Sequence, residues 1–439
     1  MGKPTGESSD TKQRILEIAI ELIESSSNNS LRIEDVVTQS GLSFPTIYFH
    51  FGDRAGLLRE AQIEIFKRSF SSETDTFAQF AKSVDDIAVL LPAVFMQILK
   101  NCEDKELITQ RHQRLRVMSN AITDPQLMQE VLNLQSIPIR KFELIFQDLA
   151  ERNVINPDLD CEAFARWLLG LLAGRVLIEV DESRSRQAVD HLLAIAIIVP
   201  LLKVPLNLQQ CHEFIHLVRA KVRKDSAFSQ TDVLAQTPEQ HDELATTLLQ
   251  LVSEQINRSG EASVRLAEIA AQANVSLGSL TRRFASRDHL IDSALARDFT
   301  KHSMSTSQKL NERLTGINSL DEMVASINEL FAETASNPDY VALRIQRVQI
   351  LGLALSRPEL ASLVSKSLGD FEMTIQPGMQ ALVSNGALSG EANPASFLAL
   401  AQIIQLGRVV VDFNHIEDTN QSWLKMTQNV SEFFLREIF

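Results

Sequence analysis

Eight consecutive residues, Ser43-Phe44-Pro45-Thr46-Ile47-Tyr48-Phe49-His50, hold the side chains best suited to recognising another molecule. With Ile47 and Phe51 turned inward at helical spacing, Phe44, Thr46, Tyr48, Phe49 and His50 point outward. Hydroxyls and an imidazole on one exposed face suit hydrogen bonds to phosphates and base edges, and a phenyl ring suits a thymine methyl or packing on a neighbouring helix. Arg32 upstream and Arg54 downstream supply cations for phosphates, the main source of affinity and salt dependence in nucleic-acid binding. Catalytic chemistry has no comparable carrier: no Gly-rich phosphate loop, no Ser-His or Cys-His arrangement and no paired carboxylates stand out, so an enzyme is not expected. Cys211, His212 and His216 place two imidazoles at i and i+4 but lack a further ligand. They read as an amphipathic helix, and no metal or cofactor is expected.

Two short helices must position this face. Ile33, Val36 and Val37 give the first its apolar side, Ser30 is its expected N-cap, and Glu34 and Asp35 sit in its first turn, where the helix dipole favours acid. Gly41 ends it by supplying a positive φ, Leu42 buries the turn and Ser43 caps the second helix. Pro45 fits a first helical turn because its missing N–H is not needed there. A preceding helix is expected over 11–27, with Ile15, Leu16, Ile18, Ala19, Leu22 and Ile23 inward, and residues 1–10 are expected to be disordered. A following helix starts near Arg54 and carries Leu57, Leu58, Ala61, Ile65 and Phe66. Two short helices about a Gly-containing turn form a helix-turn-helix, whose second member enters the DNA major groove.

In Val36-Val37, Gly41-Leu42-Ser43, Thr46-Ile47-Tyr48, His50-Phe51, Arg54 and Leu57-Leu58, the stretch resembles the TetR family of bacterial transcriptional regulators. The resemblance implies that Tyr48 and His50 contact phosphates. It also implies that the helix from Arg54 joins a DNA-binding headpiece to a helical body with a small-molecule cavity, and that the last two body helices form a four-helix dimer interface. Helical patterns continue over 84–100, 105–121, 125–153, 160–180 and 186–203. The last two are apolar all round and must be buried on every side. Phe95, Met96, Met118, Phe142 and Phe146 are the candidate cavity lining, and their phenyl rings point to an apolar effector. Arg111 and Arg114, one helical turn apart, suit either an anionic effector or ion pairs with nearby acids. Gly170 and Gly174 are spaced for close helix contact at the dimer seam.

All of this occurs twice. Residues 263–291 repeat 30–58 at a constant displacement of 233 residues, without gaps: Arg32 meets Arg265, Ser43 meets Ser276, Phe51 meets Phe284 and Arg54 meets Arg287. The register persists through Arg111 and Arg344, Arg114 and Arg347, and Gly174-Arg175-Val176 and Gly407-Arg408-Val409. The expected fold is therefore all-α, with two tandem helix-turn-helix headpieces, 8–60 and 241–293. Helical ligand-binding and dimerisation bodies, 61–206 and 294–439, follow them. The linker 207–240, 34 residues long, reaches about 110 Å if extended. The two copies are expected to pair within one chain as a pseudo-dimer. Copy two presents Leu277, Gly278, Ser279, Thr281, Arg282 and Arg283 where copy one presents Phe44 to His50, so it lacks the tyrosine and the histidine. The unlike faces predict an imperfectly palindromic operator. Asn274 stands where Gly41 does and tolerates the left-handed conformation.

A net charge of −14 on 439 residues excludes an indiscriminate polyanion binder, so a DNA-binding surface has to be a local patch. No run of about 18 apolar residues lacks charge, so no membrane span is expected. The polar N-terminus lacks a secretory signal, and three scattered cysteines read as reduced thiols of a cytoplasmic protein. The function expected is a sequence-specific, ligand-responsive repressor whose partners are double-stranded DNA and a small effector. The alternative is a ligand-binding adaptor that no longer reads DNA.

Overall fold

A computed structural model describes residues 7–25, 31–70, 73–180, 186–202, 242–388, 394–413 and 420–438. Every regular element among them is a helix. The first eleven are α1 (Glu7–Ser25), α2 (Ile33–Ser40), α3 (Phe44–Phe51), α4 (Arg54–Arg68), α5 (Glu73–Lys82), α6 (Ile87–Glu103), α7 (Lys105–Ala121), α8 (Pro125–Glu151), α9 (Cys161–Gly174), α10 (Val176–Glu179) and α11 (Arg186–Ile198). The second series is α12 (Glu243–Ser259), α13 (Leu266–Gln272), α14 (Leu277–Arg283), α15 (Arg287–Thr315), α16 (Leu320–Ser336), α17 (Pro338–Ala354), α18 (Pro358–Ser384), α19 (Pro394–Asp412) and α20 (Asn420–Phe433). Both ends of α6, α7 and α8 recur, 233 residues on, in α16, α17 and α18.

Capping chemistry fixes these boundaries. Ser43 and Ser276 accept from Thr46 N–H and Ser279 N–H, Asp53 and Ser286 from Gly56 N–H and His289 N–H, and Asp104 and Asn337 from Glu106 N–H and Asp339 N–H. Each pair occupies equivalent positions and satisfies orphan donors of the first turn. Two expectations are corrected. α1 begins at Glu7, within the stretch expected to be disordered, and the residue preceding α2 is Arg32, without a side-chain cap; Ser30 lies outside the described residues. The linker 207–240, with Cys211, His212 and His216, also lies outside them. No helix among the described residues is long and apolar enough to cross a membrane. Cys102 and Cys161 are buried free thiols, and burial pushes both thiol pKa values up.

The copies differ in where helices break: α15 runs unbroken where the first copy has α4 and α5 as separate helices, and α19 runs unbroken where the first copy has α9 and α10. Ser69, at the end of α4, is buried and turns its hydroxyl back to Phe66 O at 2.6 Å.

Corresponding helices pack against each other across the copies. α9 lies along α19, α7 lies on α17, and α11 and α20 complete the contact with α9 and α19. A Cβ on Gly407 would fall onto the carbonyl of Gly170, and one on Gly174 onto the carbonyl of Ile403. Gly170 and Ile403 are equivalent positions, as are Gly174 and Gly407, so these are the mirrored pairs of an isologous contact. Ser119 and Gly352, also equivalent, meet on the second seam, where Ser119 Oγ donates to Gln349 O at 3.0 Å. Trp167 packs edge-on to Trp423 with ring centroids 5.0 Å apart. Polar ties across the seam are Arg166–Asp412 at 3.2 Å, Ser422–Asp160 at 2.6 Å and Gln135 Nε2 to Val410 O at 3.3 Å.

One tie is inverted between copies. In the first, Arg59 on α4 pairs with Asp124, the N-cap of α8, at 3.0 Å. At the equivalent positions of the second, Asp292 on α15 pairs with Arg357 before α18 at 2.9 Å.

Candidate functional site

α2 and α3 meet about Gly41, at φ 68°, and α13 and α14 about Asn274, at φ 56°. Both residues take the left-handed conformation that β-branched or bulky side chains avoid. Ile33, Val36 and Ile47 are buried under α1 and α4, with Ile15, Ala19, Leu57 and Ala61. α3 therefore lies on the core through Ile47 and Phe51 and turns its other faces out. Phe49 is 82% exposed, Phe44 and Tyr48 are each 40% exposed and 6.4 Å apart, and His50 is half-buried beside the Phe49 ring at 5.3 Å. Pro45 occupies the first turn of the helix. Ser43 and Thr46 lie within 2.9 Å of each other, so their hydroxyls are already engaged. Arg32 is exposed at the entry to α2. Arg54 donates from Nε to Leu31 O at 2.7 Å, which pins the start of α4 to the start of α2 while its side chain remains exposed. Lys12, which the sequence did not single out, sits 5.2 Å over the Phe51 ring and pairs with Glu60.

The second head has the same frame and a different surface. Leu277 is exposed at the start of α14, a Cβ on Gly278 would meet Ser276 Oγ at 3.9 Å, and Ser276 and Ser279 form the cap. Thr281 Oγ1 and Arg282 Nε both turn back to Gly278 O, at 3.4 and 3.3 Å. Arg283 is paired with Asp242, the N-cap of α12, at 2.7 Å, and this bond holds the Asp242 carboxyl below its usual range. Arg287 repeats the role of Arg54, donating to Val264 O at 3.0 Å, and Arg265 NH1 contacts the same carbonyl at 3.3 Å. The second face is thus less basic than its two arginines suggest.

The heads connect to two cavities, at equivalent places in the two bodies. The first, about 170 Å³, lies beneath α4 and is lined by Phe66, Phe70, Phe77, Met118, Phe142 and Phe146 among others. The expectation is corrected for Phe95 and Met96. On α6 the lining residues are Val94, Gln97, Ile98 and Asn101, one helix face; Phe95 faces away to stack on His191 at 5.9 Å, and Met96 is 62% exposed. The second cavity, about 140 Å³, is lined by Leu310 and Leu314 of α15 together with Ile327, Phe331, Arg344, Phe397 and Gln402.

Arg111 reaches the wall of the first cavity as part of a buried network. Its Nε donates to Glu179 at 3.0 Å and its NH1 to Asn101 at 2.8 Å; Glu179 also takes Arg175 and, at 2.8 Å, faces His112; Arg175 is held by Asp190 at 2.6 Å. Burial alone would raise the Glu179 pKa, but His112, Arg111 and Arg175 outweigh it and hold it down at about 2. Two arginines and two carboxylates leave no net charge. Arg114 donates to Ser69 O and lies 5.2 Å over the Phe70 ring, and burial lowers its pKa. The sequence signalled Arg111 but not the acid it meets, Glu179, which lies 68 residues away.

The sequence matches no family model and no curated protein.

Proposed function

We propose that this chain is a sequence-specific DNA-binding regulator, a ligand-responsive repressor of the kind its heads resemble, in which the two halves form a covalent pseudo-dimer. One observation carries the reading: two outward-facing short helices, α3 and α14, each stand at the end of a helix whose far end lines a cavity. Leu57 of α4 is buried in the first head while Phe66 lines the first cavity; Leu290 and Leu310 of α15 do the same in the second half. At about 1.5 Å per residue, the 29 residues of α15 extend about 43 Å, a rigid connection from cavity to head. A ligand that fits one cavity shape better than another shifts the helix, and through it the spacing of the heads. The two faces read unlike half-sites, α3 through Tyr48, Phe49, His50 and Arg32, α14 through Leu277, Ser279, Thr281 and Arg282.

Selection of genomic fragments by the purified chain, followed by footprinting, tests this. The expected result is one enriched site with two unlike half-sites. Arg32→Glu is expected to abolish protection of the first half-site. Asp242→Asn is expected to release Arg283 toward DNA, tighten the second half-site and steepen the dependence of log affinity on log salt by about one unit. No enrichment above salt-sensitive background, and no effect of either substitution, would overturn the reading. The second reading, an adaptor without DNA reading, is favoured by one observation, the Arg283–Asp242 pair that occupies the second face. Identical fragment recovery with Arg32→Glu would favour it.

A further inference from the structure

The two cavities are equivalent in position and unlike in charge. Arg344 stands where Arg111 stands, but both partners have changed. Asn101 is matched by Thr334, whose hydroxyl turns back to Leu330 O at 2.8 Å in its own helix. Glu179 is matched by Asp412, which faces Arg166 of the other copy at 3.2 Å. Asp190, which holds Arg175, is matched by Trp423, an apolar ring in the seam. Arg344 is left 8% exposed in the cavity wall, with no hydrogen bond or ion pair to any described residue. The charges nearest it are two more arginines, Arg347 and Arg408; burial first and these cations second lower its pKa. Gln402 lines the same cavity where the first has Leu169, and its amide nitrogen and oxygen are both shielded from solvent without a hydrogen-bond partner.

A guanidinium taken out of water without an anion is strongly unfavourable, and an unbonded amide adds to the cost. A wall that keeps both is incomplete without a counter-ion. Apart from Thr334, Tyr340, Arg347 and Gln405, the rest of it is apolar, Leu310, Leu314, Ile327, Phe331, Phe397 and Leu406 among others. We propose that the second cavity binds a small organic carboxylate with an apolar tail. The head lies on the fork of Arg344, which matches a carboxylate bidentately, with Gln402 as a further donor, and the tail lies among the leucines and phenylalanines. In the first cavity Arg111 is neutralised within its own network, and the other arginine of the wall, Arg114, is held by the Ser69 carbonyl and the Phe70 ring. The proposal deepens the effector reading above by giving one of its two cavities a ligand class.

Calorimetry on the full chain without DNA tests it, with octanoate and 3-phenylpropanoate as probes and octan-1-ol as the uncharged control. At least one carboxylate is expected to saturate a single site per chain, at least tenfold more tightly than the alcohol. Arg344→Met should weaken it at least tenfold and Gln402→Leu severalfold. Arg114→Met, in the first cavity, should leave it unchanged. Arg344→Met removes an unpaired buried charge, so its urea midpoint should equal or exceed that of the parent, which separates lost binding from lost folding. Neither carboxylate binding, the alcohol binding equally, Arg344→Met binding unchanged, or Arg114→Met abolishing binding would each overturn the proposal. With no DNA present, these outcomes are independent of whether the heads read DNA.

Discussion

Gly407→Leu is expected to part the two halves of the molecule. A side chain at this position meets the Gly170 carbonyl and the backbone around it, so no rotamer change relieves the clash. Overpacking of a tight core costs about 1–3 kcal/mol and more when the backbone itself must move; here the upper end applies, against a total stability of about 5–15 kcal/mol. Urea unfolding should lose its single cooperative transition, and hydrogen exchange should accelerate in α9 and α19 together. Gly369→Ala is the matching control. Gly369 lies within α18 with nothing near its missing Cβ, and alanine there should stabilise by about 0.5–1 kcal/mol. If Gly407→Leu unfolded with the same midpoint and cooperativity as the parent, the close crossing of α9 and α19 would be wrong.

The second large effect is expected at Glu179. Glu179→Leu leaves Arg111 and Arg175 buried with Asp190 as their only carboxylate, a loss of about 3–5 kcal/mol. Adding Arg111→Met removes the surplus charge and should restore part of the stability, a coupling that a double-mutant cycle reads directly. The same group sets an acid limit. Its folded pKa of about 2 lies below the ordinary 4.5, so the folded state favours the carboxylate. The resulting stability is fully present above pH 4.5 and is lost as pH falls toward 2, by about 3 kcal/mol at most. The stability of Glu179→Leu should depend less steeply on pH across that window. An equally steep acid slope in the variant would assign the loss to other carboxylates.

The repeat, the α2–α3 frame and the glycine crossing were legible in the sequence because each leaves a local mark: a fixed displacement, a capped turn, two small residues four apart. The contact of α7 with α17 left none. It rests on Ser119 and Gly352, a small polar residue and a glycine that carry no mark of a partner helix in the sequence. Phe95 and Met96 were chosen by residue type, and the cavity instead takes the face of Val94, Ile98 and Asn101. Type says what a side chain does in contact with a ligand; only the helix phase says whether it reaches one. The differences that set the two cavities apart, Asn101 against Thr334 and Glu179 against Asp412, are single substitutions inside helices of matching register. Aligned sequences show that Thr334 and Asp412 replace Asn101 and Glu179, but not that Asp412 turns to Arg166 and Thr334 to its own helix, away from Arg344.

The inverted pair, Arg59–Asp124 against Asp292–Arg357, bears on how such a chain reaches its native state. Two half-sequences with the same helix register invite misassembly, in which the head of one half docks on the body of the other. In that exchanged arrangement Arg59 would face Arg357, and Asp292 would face Asp124. Like charges would meet at both junctions where the correct partners attract, so each head carries a mark of the body it belongs to. A swap that restores uniform polarity, Asp292→Arg with Arg357→Asp, would erase that mark while preserving every native ion pair at the two junctions except those Arg357 makes with Glu261.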